Sequence, residues 1–144
     1  SHLGGKMIVE TLSDLENKLN SAYKQPVDGV TIAPKITKDM EQINWSKTAV
    51  EIERNIRAFS PSPLMWSTIA GIRTKIVSVK EVFDIQANDY EIGTIINDQF
   101  VVKCGQNTYL QILQIQPAGK NIMPAQSFIN GHKEIIGAKY EENY

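Results

Sequence analysis

Residues 52–63, reading Ile-Glu-Arg-Asn-Ile-Arg-Ala-Phe-Ser-Pro-Ser-Pro, constrain the fold more than any other stretch. Ala49, Ile52, Ile56 and Phe59 recur at helical spacing and predict one buried stripe, with Val50, Arg54 and Arg57 on the opposite side. Thr48 and Glu51 read as a capping box, in which each side chain satisfies a backbone N–H left free by the first turn. Glu53 precedes Arg57 by four residues, a favourable pair along a helix. Pro61 and Pro63 cannot continue the helix, and they push Ser60 and Ser62 toward extended geometry. A short, capped helix therefore ends near Phe59 and gives way to a different kind of structure.

That structure is β. From Met65 the hydrophobic period shifts toward two, and Met65–Ile69 and Ile72–Val79 flank Ala70-Gly71 as a hairpin. Arg73 and Lys75 then share a face with Val77 and Val79, while Ile72, Thr74 and Ile76 share the other. Residues 84–91 are polar and loop-like. Ile92–Ile96 and Gln99–Cys104 flank Asn97-Asp98 as a second hairpin. Gly105-Gln106-Asn107 turns the chain into a strand from Thr108 to Ile115, Pro117–Lys120 is a loop, and 124–131 is a short helix with Phe128 and Ile129 inward and Gly131 as its C-cap.

Ahead of this region, Ile8, Leu12, Leu15 and Leu19 stack on one face of a helix over 3–19, which needs a surface to pack against. Pro26, Asp28-Gly29 and Pro34 mark a linker. Residues 35–47 are irregular, with Trp45 placed to anchor the start of the next helix. The expected fold is mainly β with flanking helices: about five short strands in a small open barrel related to the OB-fold, preceded by a helix and a linker.

The net charge of −1 conceals an asymmetry. Residues 31–80 hold eight Lys/Arg against four Asp/Glu, and residues 81–144 hold four against eight. A basic middle and an acidic end give a polar field that attracts phosphate on one side. No apolar run approaches the roughly 18 residues of a membrane span, and no signal-peptide pattern is present, so no membrane partner is expected. One cysteine, Cys104, cannot form an internal disulfide and fits a reducing compartment; its apolar surroundings make it a core residue.

Catalytic chemistry finds little support. Two histidines, His2 and His132, and one cysteine offer no paired spacing for a metal. A Ser-His-Asp set would have to use His132, which reads better as a cap on helix-end carbonyls. The carboxylate pairs Glu51/Glu53 and Glu141/Glu142 lie in solvent-facing runs, and no Gly-rich phosphate loop occurs. Phosphate contact by Lys and Arg needs less: Lys35, Lys38, Arg54, Arg57, Arg73 and Lys75 sit within a short stretch, and Lys120 and Lys133 come from loops that an open barrel brings to the same side. Trp45, Phe59 and Trp66 read as core, which favours recognition of backbone and shape in structured RNA over base stacking.

Several segments in order carry a family resemblance: Leu3-Gly4, Glu10-Thr11-Leu12, Ala33-Pro34-Lys35-Ile36, Ile43-Asn44-Trp45, Ile52 to Pro63, Leu113 to Lys120, and Phe128-Ile129-Asn130-Gly131-His132. Across roughly residues 3–137 the chain resembles the C-terminal region of methionyl-tRNA formyltransferases. The resemblance implies an enzyme that moves a formyl group from 10-formyltetrahydrofolate to the amino group of methionine on initiator tRNA. It also implies a Rossmann-like N-terminal domain holding the folate and an Asn-His-Asp set, and a C-terminal barrel that helps hold the tRNA. No stretch here matches the catalytic or folate motif, so neither catalytic nor cofactor-binding residues are assigned to this chain. Of the basic residues, Lys35, Arg54, Arg57 and Lys120 fall within matching motifs; Arg73, Lys75 and Lys133 lie in looser ones. Ser62 stands where the family often has tryptophan, and Pro124 where a helix-capping serine is common.

The resulting division is 1–20 as the last helix of the catalytic domain, 21–34 as linker, 35–138 as the tRNA-binding barrel and 139–144 as a frayed tail. The expected setting is the bacterial cytoplasm, with an organelle matrix as the alternative. The competing functions are a bracing module without RNA contact, and the equivalent barrel of another folate-dependent formyltransferase or hydrolase.

Overall fold

A computed structural model describes residues 2–87 and 89–141 of the chain, which divides into two compact units, Ser1–Lys35 and Ile36–Tyr144. The first unit holds helices α1 (His2–Ser13) and α2 (Leu15–Asn20), where the periodicity predicts a single helix. The break falls at Asp14, whose φ of −139° is non-helical. There the Asp14 carboxylate accepts a bond from the Asn17 amide at 2.7 Å, and the Ser13 hydroxyl donates to the Glu10 carbonyl at 2.9 Å. Short polar side chains of this kind offer the backbone alternatives to the helix. No residue of α1 or α2 is buried, and Ile8, Leu12, Leu15 and Leu19 are all exposed.

The second unit opens with a 3₁₀ turn (Lys38–Glu41) and helix α3 (Ala49–Phe59). The capping box forms as the sequence predicts: the Thr48 backbone N–H donates to Glu51 Oε2 at 2.9 Å, and the Glu51 N–H donates to Thr48 Oγ1 at 3.4 Å. The Ala49 N–H finds a more distant acceptor in Thr108 Oγ1, at 2.8 Å. Ala49, Ile52 and Ile56 are buried, and burying each isoleucine contributes about 1.5–3 kcal/mol. Ser60, at φ −85° and ψ 142°, is extended as the following proline requires. The Thr48 hydroxyl and backbone N–H hold the Glu51 carboxyl below the usual carboxylate range, with smaller help from Lys47 and Arg54. Thr48→Ala is expected to cost about 1 kcal/mol in urea melts. Because the folded pKa is depressed, Glu51's share of the box is present above the ordinary carboxylate pKa and fades as pH falls through the lowered one.

Among the described residues six strands follow: β1 (Met65–Ile69), β2 (Ile72–Val82), β3 (Val101–Lys103), β4 (Tyr109–Pro117), β5 (Met123–Pro124) and β6 (Tyr140–Glu141). They form an antiparallel sheet in the order β3-β4-β2-β1-β6, with β5 also on β4. The mainly antiparallel sheet with its flanking helices is the open, barrel-like α+β domain read from the sequence. The irregular run Gly93–Ile95 lies between the two ends of the sheet. Gly93 N–H donates to the Lys103 carbonyl at 2.7 Å on one side, and Tyr140 N–H donates to the Gly93 carbonyl at 2.9 Å on the other. Helix α4 (Ala125–Gly131) packs Phe128 and Ile129 into the core.

Four local expectations change. Ala70 and Gly71, both at positive φ, make the β1–β2 turn as predicted. A bulge at Val77, matched by one at Leu113, then shifts the phase, so Val79 packs on the core and does not share the face of Arg73. The second hairpin turns over Asn97–Phe100: Asn97 Oδ1 accepts from Gln99 and Val101 N–H, and the fully buried Phe100 sits at φ +59°. Gly131 is the last residue of α4, and His132 ends the helix, its ring Nδ1 2.9 Å from the Phe128 carbonyl and its ring stacked on Phe128. The chain end does not fray from Lys139: Lys139 pairs with Glu91 at 3.1 Å, and the buried Tyr140 stacks on Trp45 with ring centres 4.8 Å apart. Residues 142–144 of the expected tail lie outside the described residues.

Candidate nucleic-acid interface

Register on the outer side of the sheet builds the main basic feature. Within β1 the core-facing Met65 and Ser67 flank Trp66, which lies opposite Lys75 on β2; Lys75 in turn lies opposite Gln116 on β4. Arg73, two residues before Lys75, lies diagonally from Trp66, within reach of a long side chain. Its guanidinium carbon sits 3.8 Å from the Trp66 ring centre, a cation–π contact. The loop after β4 folds over this end. Ala118 N–H donates to the Arg73 carbonyl at 2.9 Å, Lys120 N–H donates to the Pro117 carbonyl at 3.0 Å, and Gln116 Nε2 donates to the Lys120 carbonyl at 3.1 Å.

The result is a cleft of about 440 Å³ lined by Glu41, Pro63, Arg73, Lys75, Gln116 and the backbone turn Pro117–Gly119. Two cations and one carboxylate line it, a balance that favours an anion. Of the eight predicted basic residues, Arg73 and Lys75 line this cleft, and the Lys120 backbone is tied to its rim. Lys38, Arg54, Arg57 and Lys133 do not line it. Arg54 and Arg57 project from the exposed side of α3. Arg57 is 3.8 Å from Glu53, a loose pair between partly solvated groups, beside a hollow of about 180 Å³ at the β2 bulge. Lys38 and Lys133 are exposed on separate 3₁₀ turns, Lys120 is exposed, and Lys35 is exposed at the end of the first unit. A third hollow, of about 350 Å³ beneath α3, has Lys47 offset by Asp39 and an apolar floor of Ile52, Phe59 and Met65.

Two cleft residues, Gln116 and Glu41, and the ring against Arg73, Trp66, escape a reading of the sequence alone. Trp66 reads there as core, yet it is half-buried with Arg73 against it. Its place between two inward residues of an alternating strand is the signal that would have found it. Gln116 and Glu41 carry no local signal. Trp45 is core, as expected, and its indole N–H donates to Ser67 Oγ at 3.0 Å. Cys104 is also core: burial pushes its thiol up to about 12, which keeps it protonated and unreactive. Among the described residues, no group of three or more His, Cys, Asp or Glu is placed to hold a metal, and no helix is long and apolar enough to cross a membrane.

Comparison with known proteins gives a consistent result. Residues 35–133 match the family model of the formyl transferase C-terminal domain. The methionyl-tRNA formyltransferase of Neisseria meningitidis serogroup B is 41% identical over 139 residues, covering 95% of this chain and 44% of that protein. That of Paramagnetospirillum magneticum is 37% identical over 131 residues, covering 90% of this chain and 41% of that protein. The chain thus spans under half the length of these relatives. Among solved structures, HypX from Aquifex aeolicus superposes with a TM-score of 0.58 at 11% identity, over 91% of this chain and 24% of that one. A second HypX structure, in complex with tetrahydrofolic acid, gives 0.56 at 14% identity, over 90% and 24%. At such low identity these two show a shared fold.

Proposed function

Since the chain belongs to the family of formyl transferase C-terminal domains, we propose that it is the tRNA-holding part of a methionyl-tRNA formyltransferase. The whole enzyme transfers the formyl group of 10-formyltetrahydrofolate to the amino group of methionine on initiator tRNA, in the bacterial cytoplasm. Formyl transfer belongs to a Rossmann-like N-terminal domain, to which the catalytic and folate-binding roles are assigned. The first unit of this chain is the end of that domain, broken into α1 and α2, with the linker, and the exposed Ile8 and Leu12 of α1 and Leu15 and Leu19 of α2 are the side chains through which it packs there.

The observation that carries the reading is the grouping of Arg73 and Lys75 in one cleft, with Arg54 and Arg57 exposed on α3. These residues contact tRNA phosphates, which position the molecule without reading its sequence. Holding the tRNA body raises the effective concentration of its aminoacyl end at the distant site. Discrimination of the initiator then rests with the other domain.

The test is a titration of the chain with initiator tRNA at two salt concentrations. If four phosphates are neutralised, raising salt from about 50 to about 200 mM weakens binding by roughly a hundredfold. Arg54→Ala with Arg57→Ala weakens binding with no change in melting temperature, since neither lies on the apolar stripe. No binding at low salt, or binding indifferent to salt, removes the proposal. Unchanged binding by the double variant favours a bracing role for α3.

A further inference from the structure

We propose that the Arg73 cleft captures one unstacked nucleotide of the RNA, with its base lying on the guanidinium of Arg73. The inference rests on the RNA-holding reading above and deepens it, because it assigns to one place in the barrel a contact that phosphate neutralisation alone does not supply.

Arg73 is seated on an aromatic ring. Its guanidinium carbon lies 3.8 Å over the Trp66 ring centre, while the residue itself is exposed and lines the cleft. The guanidinium therefore has an opposite face turned away from the indole and open to a ligand. Unstacked RNA bases settle on aromatic rings and on guanidinium planes, and a guanidinium already stacked on an indole has lost much of the freedom it would otherwise surrender on binding. Fully paired A-form RNA offers no base to such a platform, whereas a bulged or looped nucleotide does.

The rest of the cleft suits a nucleotide. Its volume of about 440 Å³ falls within the ~300–1,000 Å³ of small-ligand sites. Lys75, half-buried beside Arg73, supplies a charge for the phosphate. Glu41 offers a carboxylate that accepts N–H groups from a base edge. Pro63 and Pro117 add rigid apolar walls. Gln116 fixes one side by donating to the Lys120 carbonyl, and the Ala118 bond to Arg73 ties the same turn to β2. The site is thus preformed from a sheet register and one braced loop.

The test uses the chain with three short RNA duplexes at low salt: one fully paired, one with a single bulged nucleotide, and one with an abasic residue in the bulge. The bulged duplex binds about tenfold more tightly than the paired one, and the abasic bulge loses that gain, in line with one base stack. Trp66 fluorescence changes with the bulged duplex only; Trp66→Phe identifies its contribution against the buried Trp45. Arg73→Lys keeps the charge and lacks the planar fork, so the ratio of bulged to paired affinity falls from about ten to about one. Equal affinity for all three duplexes, or a bulge preference that survives Arg73→Lys, overturns the capture site and leaves the phosphate-holding reading intact. Failure to bind any of the three at low salt overturns both.

Discussion

Gly105→Ala is expected to destabilise the second unit by about 4 kcal/mol, at the upper end of single-substitution effects. A Cβ built on Gly105 meets the Ser46 carbonyl oxygen at 1.9 Å and its carbon at 2.7 Å. Both are backbone atoms, so no rotamer change relieves the overlap and one of the two segments must move. That movement carries a further cost, because the Gly105 N–H donates to the Trp45 carbonyl at 3.0 Å and to the Lys47 carbonyl at 2.9 Å. The contact holds the approach to α3 against the start of β4, where Thr108 also caps Ala49. Urea denaturation measures the effect. Gly131→Ala serves as the control: a Cβ there meets nothing within 4 Å, in a helix, and is expected to add about 0.5–1 kcal/mol of stability. Equal melting curves for Gly105→Ala and the parent chain would show that the two segments are not in this register.

Trp45→Ala is expected to cost about 3–5 kcal/mol, the range for deleting a large buried aromatic. Trp45 is among the largest fully buried side chains, stacks on Tyr140 at 4.8 Å and donates to Ser67 at 3.0 Å. Its loss leaves a cavity, strips Tyr140 of its ring partner and frees the buried Ser67 hydroxyl from its donor. Trp45→Phe separates these effects, since it keeps most of the apolar contact and forfeits the hydrogen bond, for about 1–2 kcal/mol. Thermal and urea melts of both variants give the comparison. A loss confined to Trp45→Ala assigns the stability to packing, and losses of equal size in both assign it to the Ser67 bond.

The parts of this fold written in the sequence are those set by neighbours along the chain. Thr48, Glu51 and Phe59-Ser60-Pro61 bound α3 through caps and a proline stop, and the helix spans Ala49–Phe59 accordingly. Ala70-Gly71 makes the first hairpin, with Gly71 free to take a positive φ and Ala70 taking one against the cost of its Cβ. What the sequence hides is decided across distance. The bulges at Val77 and Leu113 belong to the pairing of β2 with β4, and neither strand announces the extra residue alone. Tyr140 looks like tail until Trp45 is seen beneath it. The site divides in the same way. Residue types point to phosphate, and composition and resemblance name eight cations. That Arg73 and Lys75 share a cleft with Gln116 depends on the register between strands about forty residues apart, and a one-residue slip would send those side chains to the other face.

The run Gly93–Ile95 has a bearing on how the domain behaves in a crowded solution. Exposed strand margins are templates on which a second molecule adds by pairing backbone to backbone. Here one short ribbon occupies backbone groups of β3 at Lys103 and of β6 at Tyr140, and a bond from Gly137 N–H to the Ile95 carbonyl at 2.7 Å secures it. Backbone groups at both places are thereby paired within the molecule, which disfavours self-association by strand addition there.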